Sequence, residues 1–204
     1  MISEERKKKM KIYDISQEIF SCEVYPNDPR PEKERLLAME NGDLYNLTKF
    51  SMCAHNGTHV DAPFHFIASG KTIDEVEIEK FVGECFVAEF EGVIDGNDAE
   101  NILAKIDGEA KKRILLKGDL TVSLEAACVF ADAGIYLLAN EAQALGPFDA
   151  PMAVHLELLG KEVIILEGIR LSDVPEGKYI LCAAPLNLKG SDGAPCRAVL
   201  IDLK

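Results

Sequence analysis

From residue 81 onward, short apolar runs alternate with segments of helical spacing, and this rhythm constrains the fold more than any other feature. FVGECFVAEFEGV (81–93), RILLKG (113–118), IYLLAN (135–140) and EVIILEG (162–168) have the pattern of strands. Between them, NDAENILAKI (97–106) places Ile102, Leu103 and Ile106 at helical spacing, with Asn97 or Asp98 as its cap. Ser123 caps a second helix through SLEAACVFADAG, with Gly134 as its stop, and a third, PMAVHLELLG, runs from Pro151 to a terminating Gly160. KIYDIS and DLYNLTKFSM make the earlier region strand-rich, while KYILCAAPLNL and CRAVLIDL add two strands at the end. The alternation argues for an α/β fold with a mixed sheet, its N-terminal part the more antiparallel. No repeat or low-complexity linker interrupts the 204 residues, so residues 1–204 are expected to form a single domain.

Composition narrows the partners. The net charge of −13 repels phosphate backbones, which argues against a nucleic-acid partner. No stretch reaches the ~20 apolar residues of a membrane helix, and no apolar core follows the basic run 6–11, so neither a membrane span nor a secretory signal is expected. That run reads as a solvated leader before the first strand. Six cysteines without a CxxC pair, several inside apolar runs, read as buried thiols of a cytoplasmic protein and not as a disulfide or zinc framework.

The chemistry concentrates in one segment. His55-Asn-Gly-Thr-His59-Val-Asp61-Ala-Pro-Phe-His65 carries three of the four histidines. Gly57 and Pro63 argue against helix there. In an extended chain the odd-numbered His55, His59, Asp61 and His65 lean to one face, so an extended or turn-broken strand gathers imidazoles and a carboxylate around a point. Such a set suits Zn²⁺ or Mn²⁺, and three protein ligands leave an open position for water. The plainer reading is a polar loop whose histidines are satisfied by backbone; three histidines with an aspartate favour the metal. His155 sits on the short helix and Glu167 closes the apolar run VIILE, where an acid is costly unless paired or metal-bound. Taken singly, His155 is a satisfied helix residue and Glu167 a surface acid at a strand end; Glu157 and Glu162 fall at solvent-type positions. Cys53, two residues before His55, reads as a packing cysteine and not as a nucleophile.

HNGTHVDAPFH resembles the H-x-G-T-H-x-D-x-P-x-H signature of the cyclase family, metal-dependent hydrolases that include kynurenine formamidase (arylformamidase) and isatin hydrolase. The likeness extends to GKTIDEVEIEKFVG, to HLELLGKEVIILEGIRLSDVPEGKY and to PLNLKGSDGAPCRAVL, and so covers nearly the whole chain. It implies a swivelling β/α/β-type domain, usually in homodimers or higher oligomers. It implies that His55, His59 and Asp61 hold a first metal, that Asp61 bridges to a second held by His155 and Glu167, and that His65 is the proton donor and acceptor. The implied activity is hydrolysis of a C–N amide bond in a small-molecule substrate, of N-formyl arylamine or cyclic amide type. A metal-activated water would attack the carbonyl, its pKa brought from 15.7 to about 7. Lactone hydrolysis, a dehydrating cyclisation, and a non-catalytic metal or ligand binder are the alternatives. His65 separates them, because a pure binder needs no proton carrier beside its ligands. Two departures concern substrate. The formamidases' Trp-Pro-Gly-Asp stretch, whose tryptophan lines the substrate pocket, is matched here by Tyr25-Pro26-Asn27-Asp28, and the chain has no tryptophan. Tyr25 can stack on an aromatic ring but changes the pocket's polarity. In ANEAQALGPFDAP (139–151), Glu141, Gln143 and Ala144 stand where the formamidases carry an Asp-x-x-Ser-type stretch.

Overall fold

A computed structural model describes residues 10–147 and 150–202; all but the end of the basic run 6–11 therefore lies outside the described residues. In chain order, β1 (Lys11–Asp14) is followed by an antiparallel ribbon, β2 (Glu32–Leu37) with β3 (Leu47–Ser51), and then by the short β4 (His59–Asp61). The alternating region holds β5 (Val82–Glu89), β6 (Gly92–Ile94), α1 (Gly96–Ala104), β7 (Arg113–Lys117), β8 (Leu120–Val122), α2 (Leu124–Asp132), β9 (Leu137–Ala139), α3 (Met152–Gly160) and β10 (Ile164–Glu167). The chain closes with β11 (Gly177–Cys182), β12 (Gly193–Pro195) and β13 (Val199–Asp202).

Nine strands make one mixed sheet in the order β1-β13-β11-β5-β7-β9-β10-β4-β12. The block β5-β7-β9-β10 is parallel, as crossover helices require, and strands on both sides of it are antiparallel. The antiparallel character was expected in the N-terminal part; it belongs equally to β11, β12 and β13, which hydrogen-bond onto the flanks of the parallel block. The sheet must curl. β12 and β13 are seven strand intervals apart in the sheet, roughly 34 Å if it were flat, yet the link from Pro195 to Val199 spans at most ~14 Å. Hydrogen bonds close the same gap: the Gln17 N–H after β1 donates to Thr58 Oγ1 beside β4 at 2.9 Å, and the Arg170 N–H after β10 donates to the Ile15 carbonyl.

Alternation along the strands supplies two cores. One face (Phe86, Ile114, Leu116, Leu138, Ile165) packs under the helices against Ile102, Phe130, Val154 and Leu158. The other (Val87, Leu115, Leu137, Ile164, Leu166) meets Val60, Leu181 and Leu200 inside the curl. Two helix boundaries differ from expectation. α1 is capped by Asp95, whose carboxylate accepts from the Asp98 N–H while Asp98 reciprocates, so Asn97 lies inside the helix and Asp98 is the box partner. Gly160 remains helical; the turn out of α3 is made at Glu162, with φ 57°, where the Val163 N–H donates back to Leu158. Ser123 and Gly134 do bound α2. All six cysteines are free; Cys22 and Cys85 are buried, while Cys53, Cys128, Cys182 and Cys196 are half-buried. No helix among the described residues is long and apolar enough to cross a membrane.

Candidate metal centre

β4 is three residues long and lies between β10 and β12, with Glu167 and Pro195 opposite His59 and with Ile165 and Gly193 opposite Asp61. Period-2 alternation puts His59 and Asp61 on one face while Val60 enters the core, and the antiparallel register brings Glu167 to the same face. His59 Nε2 is 3.4 Å from Asp61 Oδ1 and 3.4 Å from Glu167 Oε2. From α3, His155 Nε2 stands 3.3 Å from Glu167 Oε1 and 3.6 Å from Asp61 Oδ2. The four odd-numbered residues do not share one extended strand. Gly57 (φ +66°) turns the chain after His55, and Pro63 starts the 3-10 turn Pro63–His65, so His55 and His65 enter from either end of β4. A side chain at Gly57 would also press on Cys22, 3.0 Å from its Cβ. His55 Nδ1 lies 2.8 Å from Asp61 Oδ1, and the His65 ring stacks on His55 at 3.9 Å between centroids.

The electrostatics of this cage call for positive charge. Asp61, Glu167, His59 and His155 are each at most 3% exposed. His59 Nδ1 donates to the Gly57 carbonyl (3.0 Å) and His155 Nδ1 to that of Pro151 (2.9 Å), so in both rings Nε2 is the nitrogen that faces the carboxylates. Burial disfavours charge on His55 and His59. Even so, Asp192 and Asp61 hold the first up to about 9, and Asp61 and Glu167 hold the second up to about 10. Burial likewise works against His155, and Glu167 overrides it to raise its pKa. Asp61 Oδ2 is buried without a hydrogen-bond partner, an arrangement that costs several kcal/mol unless a cation meets it. The donor set of imidazole nitrogen and carboxylate oxygen therefore fits a divalent ion. Two groups of candidate ligand atoms lie within 4.8 Å of one another, His59 with Asp61 and Glu167, and His55 with Asp61 and His65; Asp61 belongs to both.

A cavity of about 250 Å³ opens on this cluster, lined by all four histidines, Glu167, Tyr25, Asp28, Phe66, Gln143, Ala144 and Pro151. Of the three loop residues in the 139–151 segment, Glu141 is turned away. Its oxygens accept from the Gly118 and Leu171 N–H groups, so it staples loops and does not meet a ligand. Glu157 and Glu162 pair with Lys161 and Lys71. Cys53 is not among the lining residues, and burial raises its pKa, which suits a packing thiol. Asp192 is the residue sequence reasoning missed. Its Oδ2 lies 2.8 Å from His55 Nε2 and 3.3 Å from His65 Nδ1, and the His55 hydrogen bond holds its carboxyl well below the usual carboxylate range. The only signal was an acid in the turn Ser-Asp-Gly, and nothing local ties it to histidines 137 and 127 positions earlier.

The Cyclase family model matches residues 13–145, the span that holds His55, His59, Asp61 and His65. The chain belongs to the Cyclase family. Among Cyclase relatives, the kynurenine formamidase of Erythrobacter litoralis is 32% identical over 214 residues, covering 97% of this chain and 96% of its own. A solved structure described as a potential metal-dependent hydrolase with cyclase activity is 31% identical, with a TM-score of 0.80 over 96% of this chain and 100% of its own. Isatin hydrolase A from Labrenzia aggregata, solved with benzyl benzoate, is 21% identical with a TM-score of 0.83 over 96% of this chain and 94% of its own; that likeness is one of fold. The likeness to that potential hydrolase covers 96% of this chain and so runs past residue 145, into the region of His155 on α3, Glu167 on β10 and Asp192 just before β12.

Proposed function

We propose that this chain is a metal-dependent hydrolase of a C–N amide bond in a small carbonyl compound, of N-formyl arylamine or cyclic amide type. The observation that carries it is the buried, partnerless Oδ2 of Asp61, held among the imidazoles and the Glu167 carboxylate that line an open cavity. Two divalent ions, zinc or manganese, fit the donor set: His55, His59 and Asp61 would hold one, and Asp61, His155 and Glu167 the other. Ions so held polarise a carbonyl oxygen and acidify water toward neutrality.

The protein's own residues do the rest. His65 has Nδ1 on Asp192, so Nε2 is the nitrogen that accepts a proton from water and returns it to the departing amine. Burial lowers its pKa, which keeps the ring neutral and ready to accept near neutral pH. Tyr25, Gln143 and Ala144 line the cavity, where the Tyr25 ring can stack on an aryl substrate. The small cavity suits a compact substrate.

The test is turnover of a panel of N-formyl arylamines, cyclic amides and lactones, before and after chelation, with elemental analysis of the protein as isolated. Hydrolysis of an amide that chelation abolishes and Zn²⁺ or Mn²⁺ restores is expected. Turnover indifferent to chelator would overturn the mechanism, turnover of lactones alone would move the activity to esters, and bound metal without turnover would leave a binding protein.

Two assignments accompany this reading. The β2–β3 ribbon exposes Leu44 (93%) and Phe50 (52%), and Phe50 with Phe20, Met52 and Leu186 lines a groove of about 570 Å³; we assign a second copy of this chain to that surface. Light scattering should give a multiple of the 22.4 kDa chain mass, and a single-chain mass would remove the assignment. Six free thiols suit the reducing cytoplasm, which cell fractionation decides.

A further inference from the structure

We propose that Asp192 is a positioning residue that holds the candidate ligand His55 and the candidate proton carrier His65 through a single carboxylate oxygen. The roles of the two histidines rest on the function proposed above; the geometry of Asp192 does not. Its Oδ2 accepts from His55 Nε2 at 2.8 Å and from His65 Nδ1 at 3.3 Å, and one carboxylate oxygen has lone pairs for both. The two rings are stacked at 3.9 Å with 28° between their planes, so both N–H vectors converge on that oxygen.

The consequence is a pair of opposite tautomers. With Nε2 donating to Asp192, His55 Nδ1, the atom 2.8 Å from Asp61 Oδ1, is the nitrogen that would face a bound cation, giving up its proton to do so. Donation from Nδ1 leaves His65 its basic nitrogen at Nε2. His59 and His155 are oriented differently, each by a backbone carbonyl. A carboxylate makes the opposite ring nitrogen more basic than a neutral carbonyl does, which suits a ring that must take up a proton.

The backbone holds Asp192 in place. The Ala62 N–H donates to its carbonyl at 2.9 Å, and the Ile73 N–H donates to the Ser191 carbonyl at 2.9 Å. Gly193 pairs in register with Asp61, and a Cβ there would stand 2.6 Å from the Val60 carbonyl oxygen and 2.8 Å from His55 Cε1. The turn is thus pressed against the His55 ring, and glycine is what lets it approach.

The experiment compares Asp192→Asn and Asp192→Ala with wild type by ¹⁵N–¹H NMR of the imidazoles, zinc affinity by chelator competition, and kinetics on any amide the wild type turns over. In the zinc-loaded wild type, His65 is expected as the Nδ1–H tautomer and His55 as Nε2–H. In Asp192→Ala, His65 should shift toward the Nε2–H tautomer favoured by free imidazole, zinc affinity should fall about 10–100-fold, and kcat should fall by a similar factor with KM little changed. Asp192→Asn keeps the shape and an acceptor oxygen, so it should fold like wild type and lie between the two. Unchanged tautomers in both variants would overturn the proposal, as would wild-type zinc affinity and kcat together. A wild type without amidase activity would defeat the functional reading alone, since tautomers and zinc affinity would still decide the role of Asp192.

Discussion

Asp61→Ala protein is expected to lose its metal and with it at least ~10³-fold in kcat/KM, a larger loss than the 10–100-fold typical of residues that only orient ligands. No other side chain touches so much of the site: its oxygens stand within 3.6 Å of His55, His59 and His155, and both ligand groups contain it. Removing it also leaves His59 and His155 facing Glu167 alone. Asp61→Asn keeps the volume while halving the acceptor capacity and removing the charge, so it separates a lost ligand from a collapsed cage. Elemental analysis and chelator competition are the direct readouts. Full metal retention by Asp61→Ala would refute the ligand assignment.

His65→Ala is expected to behave in the opposite way, keeping its metal while kcat falls by about 10²–10⁴-fold, the usual range for a proton carrier. The structure makes this a sharp test, because His65 also belongs to a group of candidate ligand atoms with His55 and Asp61. Loss of metal with loss of activity would make His65 a ligand. Retained metal with lost activity would make it the proton carrier, and wild-type kcat would exclude both roles. The variant also strips the stacked ring from the face of His55, so a Gln substitution at position 65 is the control for packing.

Much of the strand pattern was legible because burial on both faces forces continuous apolar runs. RILLKG became β7 and EVIILEG became β10, the latter ending on Glu167. The helix ends were less legible. Asp95 and Asp98 exchange caps in a reciprocal box that several neighbouring polar residues could have made, and Gly160 is only one of several residues able to end α3. The site divided along the same line. His59 and Asp61 are two apart on one strand, so their common face follows from backbone pleating. His55 and His65 depend on turns at Gly57 and Pro63, whose direction sequence does not specify.

By itself, the sequence determined the alternating α/β character and the segment in which imidazoles and a carboxylate crowd together. These follow from local periodicity and composition, which act over a few residues. Only the tertiary structure decided which distant groups complete the cluster. Glu167 reaches it because β10 pairs with β4 in one register, and a slip of one residue would send its carboxylate to the other face. His155 reaches it because α3 packs against β10. Asp192 reaches it because β12 pairs with β4 at the edge of the sheet, a long-range pairing that no local pattern encodes.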